Sequence, residues 1–302
     1  MNYSIIIPSY IRPVELERCI NTLIDILNDN LRLVVILDGS PKFIFDMVRS
    51  FKSKYIHLIE GDGNLFWGGA INLGMAYSFE HLAAERVIWL NDDTFFTADN
   101  VISFINTTYE KHAIVGARLI GRNVNKNIYG VEEYSNLVPV KFLNGNFTSI
   151  PREVYNHFGN IDNNKFPHFA DAPYLEKIVK DNRFKLFVNS NVSVDIHYDV
   201  LRHLSAYEQF AIRDKKIEFI RWSFFDIRSK WYFIYRKNYY LNKFGVAGYL
   251  FFLVAFFRDW ARVIFTCPYI FFCEKTIKTK VIKSLKYRLP EQEFNSLLDE
   301  IK

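Results

Sequence analysis

The chain is short of cysteine. Its 302 residues include three, Cys19, Cys267 and Cys273, an odd number with no CxxC pair. Neither a disulfide framework nor a zinc site is therefore expected, and the pattern fits a reducing, cytoplasmic compartment. A charged n-region with a cleavage site ahead of the first strand-like run is also missing, so no secretory signal is visible. Net charge is slight, +5 at pH 7, and the basic residues gather in the tail without an RNA-binding motif, so nucleic acid is not an expected partner. Internal repeats and low-complexity segments are absent. Two phosphate-binding signatures fail as well: the glycines near residue 68 do not spell GxGxxG, and no GK[ST] follows them. The uncharged, nearly all-apolar run at residues 244–257 has 14 residues, against about 20 for a helix that spans a bilayer.

What the chain does have is apolar and aromatic surface. Half of it is hydrophobic and 17% aromatic, which supports a sizeable core and hints at surface that meets something apolar. The length suits one large domain, or one with an appendage. Apolar β-branched runs at residues 4–8, 31–37 and 56–60 read as strands buried on both faces, as in a parallel sheet. Helical periodicity at residues 16–27 and 70–82 between such runs makes a βαβ opening, whose hand the right-handed crossover rule fixes. Further strands are expected at 86–90, 113–117, 184–188 and 192–197, and further helices at 99–110 and 174–180. Residues 118–142 read as irregular, and residues 142–153 as a strand that turns into a helix near Pro151.

The most informative stretch is RVIWLNDDT, residues 86–94. It delivers Asn91, Asp92 and Asp93 to the carboxyl end of a strand, where ligands bind in open α/β sheets. Two adjacent carboxylates there repel and are costly to bury, which suggests a hard divalent cation bridging to substrate phosphates. The plainer reading is a turn in which Asp92 or Asp93 caps the next helix. The glycines around Gly68 and Gly69, ahead of a helix, could let backbone approach an anion, or serve only a tight turn. Asp171, just before a helix, reads equally as an N-cap. After residue 202 the character changes to aromatic and basic helical patterns. Six basic residues lie between positions 274 and 288 beside the apolar runs, and residues 244–288 read as an interfacial membrane anchor. A packed helical hairpin and a re-entrant or spanning segment are the alternatives.

These motifs resemble the family-2 glycosyltransferases, inverting enzymes that move sugars from nucleotide donors. The similarity runs over about residues 4–197, with a weaker echo at 235–239 of bacterial polysaccharide and rhamnosyltransferase-like members. It implies a GT-A fold, an α/β Rossmann-like, mostly parallel sheet flanked by helices, as a catalytic domain over residues 1–202. Residues 203–302 would form a helical C-terminal extension. By resemblance, Pro8, Tyr10 and Arg12 line the nucleotide, Asp38 accepts from the base, and Asn64, Gly68, Gly69 and Asn72 lie beside it. Asn91 stands first in the DxD-type motif, Asp92 near ribose or metal, and Asp93 is the direct ligand of Mg2+ or Mn2+. Asp171 corresponds to the aspartate that carries the base, although Ala170 and Pro173 replace its usual acidic neighbours. Asn144 and Gly145 match the acceptor side, and His197 a late histidine that reaches metal or diphosphate. Read without the resemblance, His197 is as well explained as a strand-end histidine bonded to backbone.

The implied reaction is one displacement. An acceptor hydroxyl needs a base within hydrogen-bond reach, and a partly desolvated aspartate serves best because burial raises its pKa. The expected partners are a UDP- or dTDP-linked sugar, a glycan or lipid-linked acceptor, and the membrane, at the inner face of a bacterial cell membrane in surface polysaccharide synthesis. A sugar-nucleotide nucleotidyltransferase is the nearest rival, but Pro8-Ser9-Tyr10 lacks the Gly-rich basic loop it would carry. A catalytically silent carbohydrate-binding or membrane-scaffold protein on the same fold is the alternative outside enzymes.

Overall fold

A computed structural model of the chain describes residues 1–107, 112–121, 136–167, 169–196, 204–289 and 291–300. It divides into two compact units, Met1–His197 and Tyr198–Lys302. The first contains β1 (Tyr3–Ser9), α1 (Pro13–Leu23), β2 (Leu31–Asp38), α2 (Lys42–Ser50), β3 (Ile56–Gly61), α3 (Phe66–Glu80), β4 (Arg86–Trp89) and β5 (Thr94–Phe95). There follow α4 (Ala98–Asn106), β6 (Ala113–Gly121), β7 (Leu137–Val140), β8 (Thr148–Pro151), α5 (Arg152–Phe158), α6 (Asp171–Val179) and β9 (Lys185–Ile196).

One sheet carries all nine strands in the order β3-β2-β1-β4-β8-β6-β9-β5, with β7 also paired to β9. The strands from β3 to β4 are parallel; β8 runs antiparallel to β4 and β6, while β6 and β9 are parallel again. Ile5, Ile6 and Ile7 of β1 and Leu33 to Leu37 of β2 are wholly buried, because helices cover both faces of a sheet wound by βαβ crossovers. The fold is that expected, a mostly parallel sheet flanked by helices. This topology decides where chemistry can happen: parallel neighbours end at a common edge, and β1, β2, β3 and β4 all deliver their following residues there.

Several local expectations are corrected. The two strands expected at 184–188 and 192–197 are one, β9, whose register against β6 shifts between Ala117 and Arg118. Residues 118–121 continue β6 and residues 137–140 form β7, where an irregular segment was expected, because both find backbone partners along β9. Residues 122–135 and His197 lie outside the described residues. β8 begins only at Thr148, so residues 142–147 are a loop. Helix α3 starts at Phe66, four residues early, and takes in Gly68 and Gly69.

The second unit holds α7 (Ala206–Ile212), α8 (Lys216–Phe225), α9 (Phe233–Phe244), α10 (Gly248–Phe272), α11 (Glu274–Arg288) and α12 (Glu291–Glu300). Its core includes Phe210, Phe219, Trp231, Trp260 and Leu285. Chain direction reverses at residues 245–247, where Gly245 takes a φ of +60°. A Cβ at Gly248 would lie 2.1 Å from the carbonyl oxygen of Tyr240, so glycine lets α10 close on α9.

A close approach of the same kind seats α3 on the sheet. A Cβ at Gly74 would lie 2.4 Å from Ile6 Cγ2 and 2.9 Å from Ile36 Cδ1. Gly→Ala in an unobstructed helix stabilises by roughly 0.5–1 kcal/mol; Gly74→Ala is expected to destabilise instead, by about 1–3 kcal/mol, through overpacking. A lower urea midpoint at unchanged m-value would show it, and a higher midpoint would mean that α3 can lift off the sheet.

Candidate active site

β4 runs beside β1 in parallel register, Ile6 opposite Trp89, so the residues after both strands emerge together. Ser9, at the end of β1, donates from Oγ to Asp92 Oδ2 at 2.7 Å. Beyond it, the Arg12 guanidinium donates from one nitrogen to Asp92 Oδ1 and to Asp93 Oδ2, both at 3.1 Å. From α1, Arg18 donates to the carbonyls of Asp92 at 2.7 Å and Thr94 at 3.0 Å, and the Cys19 thiol reaches the Asp92 carbonyl at 3.3 Å. The carboxylate pair is thus held by one cation, and its backbone by a second.

Electrostatics set the two aspartates apart. Asp92 is 4% exposed, and burial pushes its carboxyl from the ordinary 3.8 up to about 6, against the pull of Arg12 and the Ser9 hydroxyl. Asp93 keeps one oxygen, Oδ1, buried without a hydrogen-bond partner. Neither residue caps α4; that is done by Thr97, which exchanges hydrogen bonds with Asn100.

Asn91 ties this pair to the far side of the edge. Because β8 is antiparallel to β4, with Trp89 opposite Thr148, the loop before Thr148 enters at the edge where β4 ends. The side-chain amide of Asn91 donates to Asn146 Oδ1, and its oxygen accepts from Trp67 Nε1 at 2.7 Å. Next to Asn146, the Gly145 amide donates to Asp171 Oδ2 at 2.6 Å. A Cβ at Gly145 would lie 2.5 Å from the Trp67 ring and 3.4 Å from Asp171 Cβ, so only glycine fits there. Asp171 is the first residue of α6, with Ala170 in the N-cap position. Burial raises its carboxyl pKa, while backbone N–H groups of Gly145, Ala172 and Asp171 itself lower it.

A family model described as glycosyl transferase family 2 matches residues 4–182. The chain belongs to that family. Among solved structures it resembles the mannosyltransferase PcManGT from Pyrobaculum calidifontis, in complex with GDP-Man and Mn2+, at 12% identity and a TM-score of 0.54 over 99% of this chain and 79% of that one. It resembles S. aureus TarS 1–349 at 14% identity and a TM-score of 0.53, covering 80% and 81%. GalNAc-T7 with UDP, GalNAc and Mn2+ aligns at 12% identity and a TM-score of 0.53, over 74% of this chain and half, 50%, of that one. These likenesses establish the GT-A glycosyltransferase fold. No curated protein sequence matches the chain.

Within the glycosyltransferase frame, the remaining expected residues take definite places. Pro8 is inside β1 opposite Ile36, and Tyr10 is about half exposed just beyond it. Asp38, at the end of β2, accepts from the amides of Gly63 at 2.7 Å and Phe66 at 3.0 Å, so it fastens the glycine segment as well as facing the edge. Asn64 is exposed. Both ends of the Asn72 amide are taken by the backbone of Ile161, at 2.9 and 2.8 Å, which makes Asn72 a clamp on the 160s segment. Gly68 and Gly69 serve that segment too: a Cβ on either would crowd the Asn163 side chain, at 2.9 and 3.0 Å. Asn144 accepts the Asn146 amide at 2.9 Å and shapes the loop. Ser9, Arg18, Cys19, Trp67 and Asn146 join the site without an individual role expected from sequence; of these, Ser9, between Pro8 and Tyr10, and Trp67, between Asn64 and Gly68, lay inside motifs that carry the resemblance. A groove of about 390 Å3 bounded by Phe95, Phe96, Ile120, Val194 and Asp195 lies apart from these carboxylates, none of which lines it.

The Asp92 environment makes a testable sign. A folded-state pKa above the unfolded value means that the native chain binds the proton more readily, so this group weakens the fold as pH rises from about 4 to about 6. Asp92→Asn is therefore expected to be more stable than wild type at pH 7, on the order of 1–2 kcal/mol, with the difference gone near pH 4. Urea unfolding at the two pH values reads it. A variant less stable at pH 7 would mean that the charged contacts to Arg12 and Ser9 outweigh burial.

Proposed function

We propose that the protein is an inverting glycosyltransferase that moves a sugar from a UDP- or dTDP-linked donor to a hydroxyl of a lipid-linked glycan, in bacterial surface polysaccharide synthesis at the inner face of the cell membrane. The observation that carries this reading is the unbroken chain of contacts from Asp171 through Gly145, Asn146 and Asn91 to Asp92 and Asp93. A partly buried aspartate suited to base work and a carboxylate pair suited to a diphosphate then share one ledge. The family match supports transfer as the reaction class, and nothing in the site favours nucleotidyl transfer.

The residues present suit a divalent cation, Mg2+ or Mn2+. Such ions take oxygen ligands, commonly one or two carboxylates together with substrate phosphates, and Asp93 Oδ1 is a buried oxygen with unmet capacity. Among the described residues no group of three or more His, Cys, Asp or Glu is gathered as a ready-made cage, so the diphosphate would complete the coordination; the neighbours with Mn2+ in complex accord with this. When bound, the ion neutralises charge that develops on the departing diphosphate. The chain's own residues do the rest. Arg12 holds the two carboxylates in place, and Asp38 keeps the glycine segment fastened beside the nucleotide. Asp171 takes the proton from the acceptor hydroxyl, whose oxygen bonds to the anomeric carbon as the bond to the diphosphate oxygen breaks. Because base and leaving group act on opposite faces, the anomeric configuration inverts.

Two variants separate donor binding from chemistry. In a thermal-shift screen of nucleotide sugars with Mg2+ or Mn2+, starting from dTDP-linked rhamnose, Asp93→Ala is expected to lose the metal-dependent stabilisation, and transfer with it. Asp171→Asn is expected to keep that stabilisation while transfer falls by roughly 10²–10⁴. Full transfer by either variant would remove the assignment.

A further inference from the structure

We infer that the tip of the α9–α10 hairpin, not the basic helix α11, enters a membrane, and that it reaches one leaflet deep into an anionic bilayer. This narrows the membrane contact expected over residues 244–288 to a definite wedge. It draws on the second unit alone, so it does not depend on the catalytic assignment.

By length and composition, residues 233–266 pass for a membrane-spanning stretch, with only 17% of the apolar window buried. The fold contradicts a straight span. The chain doubles back at residues 245–247, Phe233 packs on Phe252 with ring centroids 4.8 Å apart, and Arg236 donates to Asp259 Oδ2 at 2.8 Å. These contacts brace a hairpin whose turn points away from its own core. On it, Val246 is 92% exposed, Leu250 66%, Val254 59% and Phe257 58%. Leu250, Val254 and Phe257, spaced by four and three residues, make one stripe along α10, with Val246 in the turn before it; Phe244, Tyr249 and Phe251 flank them, each about half exposed. Water is a poor partner for so large a contiguous apolar patch.

Charge and length name the occupant. Residues 198–302 contain 19 Lys and Arg against 11 Asp and Glu, a surplus of eight, whereas residues 1–197 contain 19 against 22. The whole positive balance of the protein therefore sits in the unit that bears the stripe, as suits an anionic lipid surface. From Gly248 the helix runs to Arg258, the first charge on it, about 15 Å at 1.5 Å per residue. That is half of a hydrocarbon core of about 30 Å. Arg258, Asp259 and Arg262 would then lie at the headgroups, and Lys243, near the turn, can snorkel along its own stem. Helix α11 is excluded as the inserted element because its apolar residues Ile277, Val281 and Leu285 are buried in the unit's own core; what it exposes is basic or polar apart from the Tyr287 ring.

The test uses the full chain and vesicles of phosphatidylcholine with about one third phosphatidylglycerol. Wild type is expected to sediment with them and less with pure phosphatidylcholine. Val246→Asp with Leu250→Asp is expected to weaken partitioning by at least roughly tenfold, with an unchanged thermal melt. Depth is read by adding a tryptophan: emission gained by Val246→Trp should be quenched by lipids brominated in the acyl chain, and emission gained by Tyr287→Trp on α11 should not. The inference is overturned if wild type does not sediment, if the double variant sediments like wild type, or if the Tyr287→Trp emission is the one quenched. It is equally overturned if light scattering shows a dimer that the double variant dissolves, because a second copy would then be what covers the stripe. No donor or acceptor enters these assays, so their failure leaves the transferase reading untouched.

Discussion

Two like charges side by side at the mouth of a buried strand need a cation, and the rest of the catalytic unit is arranged so that Arg12 can be it. The parallel register of β1 and β4 carries Arg12 to within 3.1 Å of both Asp92 and Asp93. An ion pair whose guanidinium is partly exposed gains little net stability, since solvent screening and the desolvation of Asp92 offset much of the attraction. Its effect is positional: both carboxylates point where the strands end, and the pair leaves one oxygen of Asp93 with capacity to spare. Burial raises the pKa of Asp92 in spite of Arg12, which is the mark of a group kept for something other than stability.

Backbone strain gathers around the same edge. Ile11, Phe66, Phe147 and Phe169 have φ between +52° and +56°, a conformation that costs a bulky residue roughly 1–2 kcal/mol. Ile11 precedes Arg12, Phe66 precedes Trp67, Phe147 follows Asn146, and Phe169 lies two residues before Asp171. Such departures persist only where the surroundings over-determine them. For Ile11, which follows β1, the surroundings are strands β1, β2 and β4, buried along almost their whole length.

Much of the first half of the fold was legible. Runs such as Ile5 to Ile7 and Leu33 to Leu37 are continuous and apolar because they are buried on both faces, and a run of that kind names itself. The second half was harder. Residues 137–140 and 118–121 are strands because β9 is there to pair with them, and no local pattern announces a partner so far along the chain. Gly68 and Gly69 look like a ligand-binding turn in one dimension; in three they let α3 pack under Asn163. Asn72 looked like a nucleotide contact and is tied at both ends of its amide to Ile161. The site was legible to the extent that its residues lie at strand ends: Asp38 closes β2, and Asn91, Asp92 and Asp93 follow β4. Arg18 and Cys19 sit on a helix with nothing in the spacing to mark them.

Local pattern in the amino-acid order by itself determined the buried strands, the crossovers between them and the glycosyltransferase motifs, because burial on a period of two or three to four residues is written residue by residue. Only the tertiary structure decided that Asn91 meets Asn146, that Gly145 meets Asp171, and that the apolar tail folds back at Gly245 instead of running on. Those outcomes hang on antiparallel pairing, on one backbone amide finding one carboxylate, and on a missing Cβ. Each is a contact between distant parts of the chain, and its free energy exists only once both parts have been brought together.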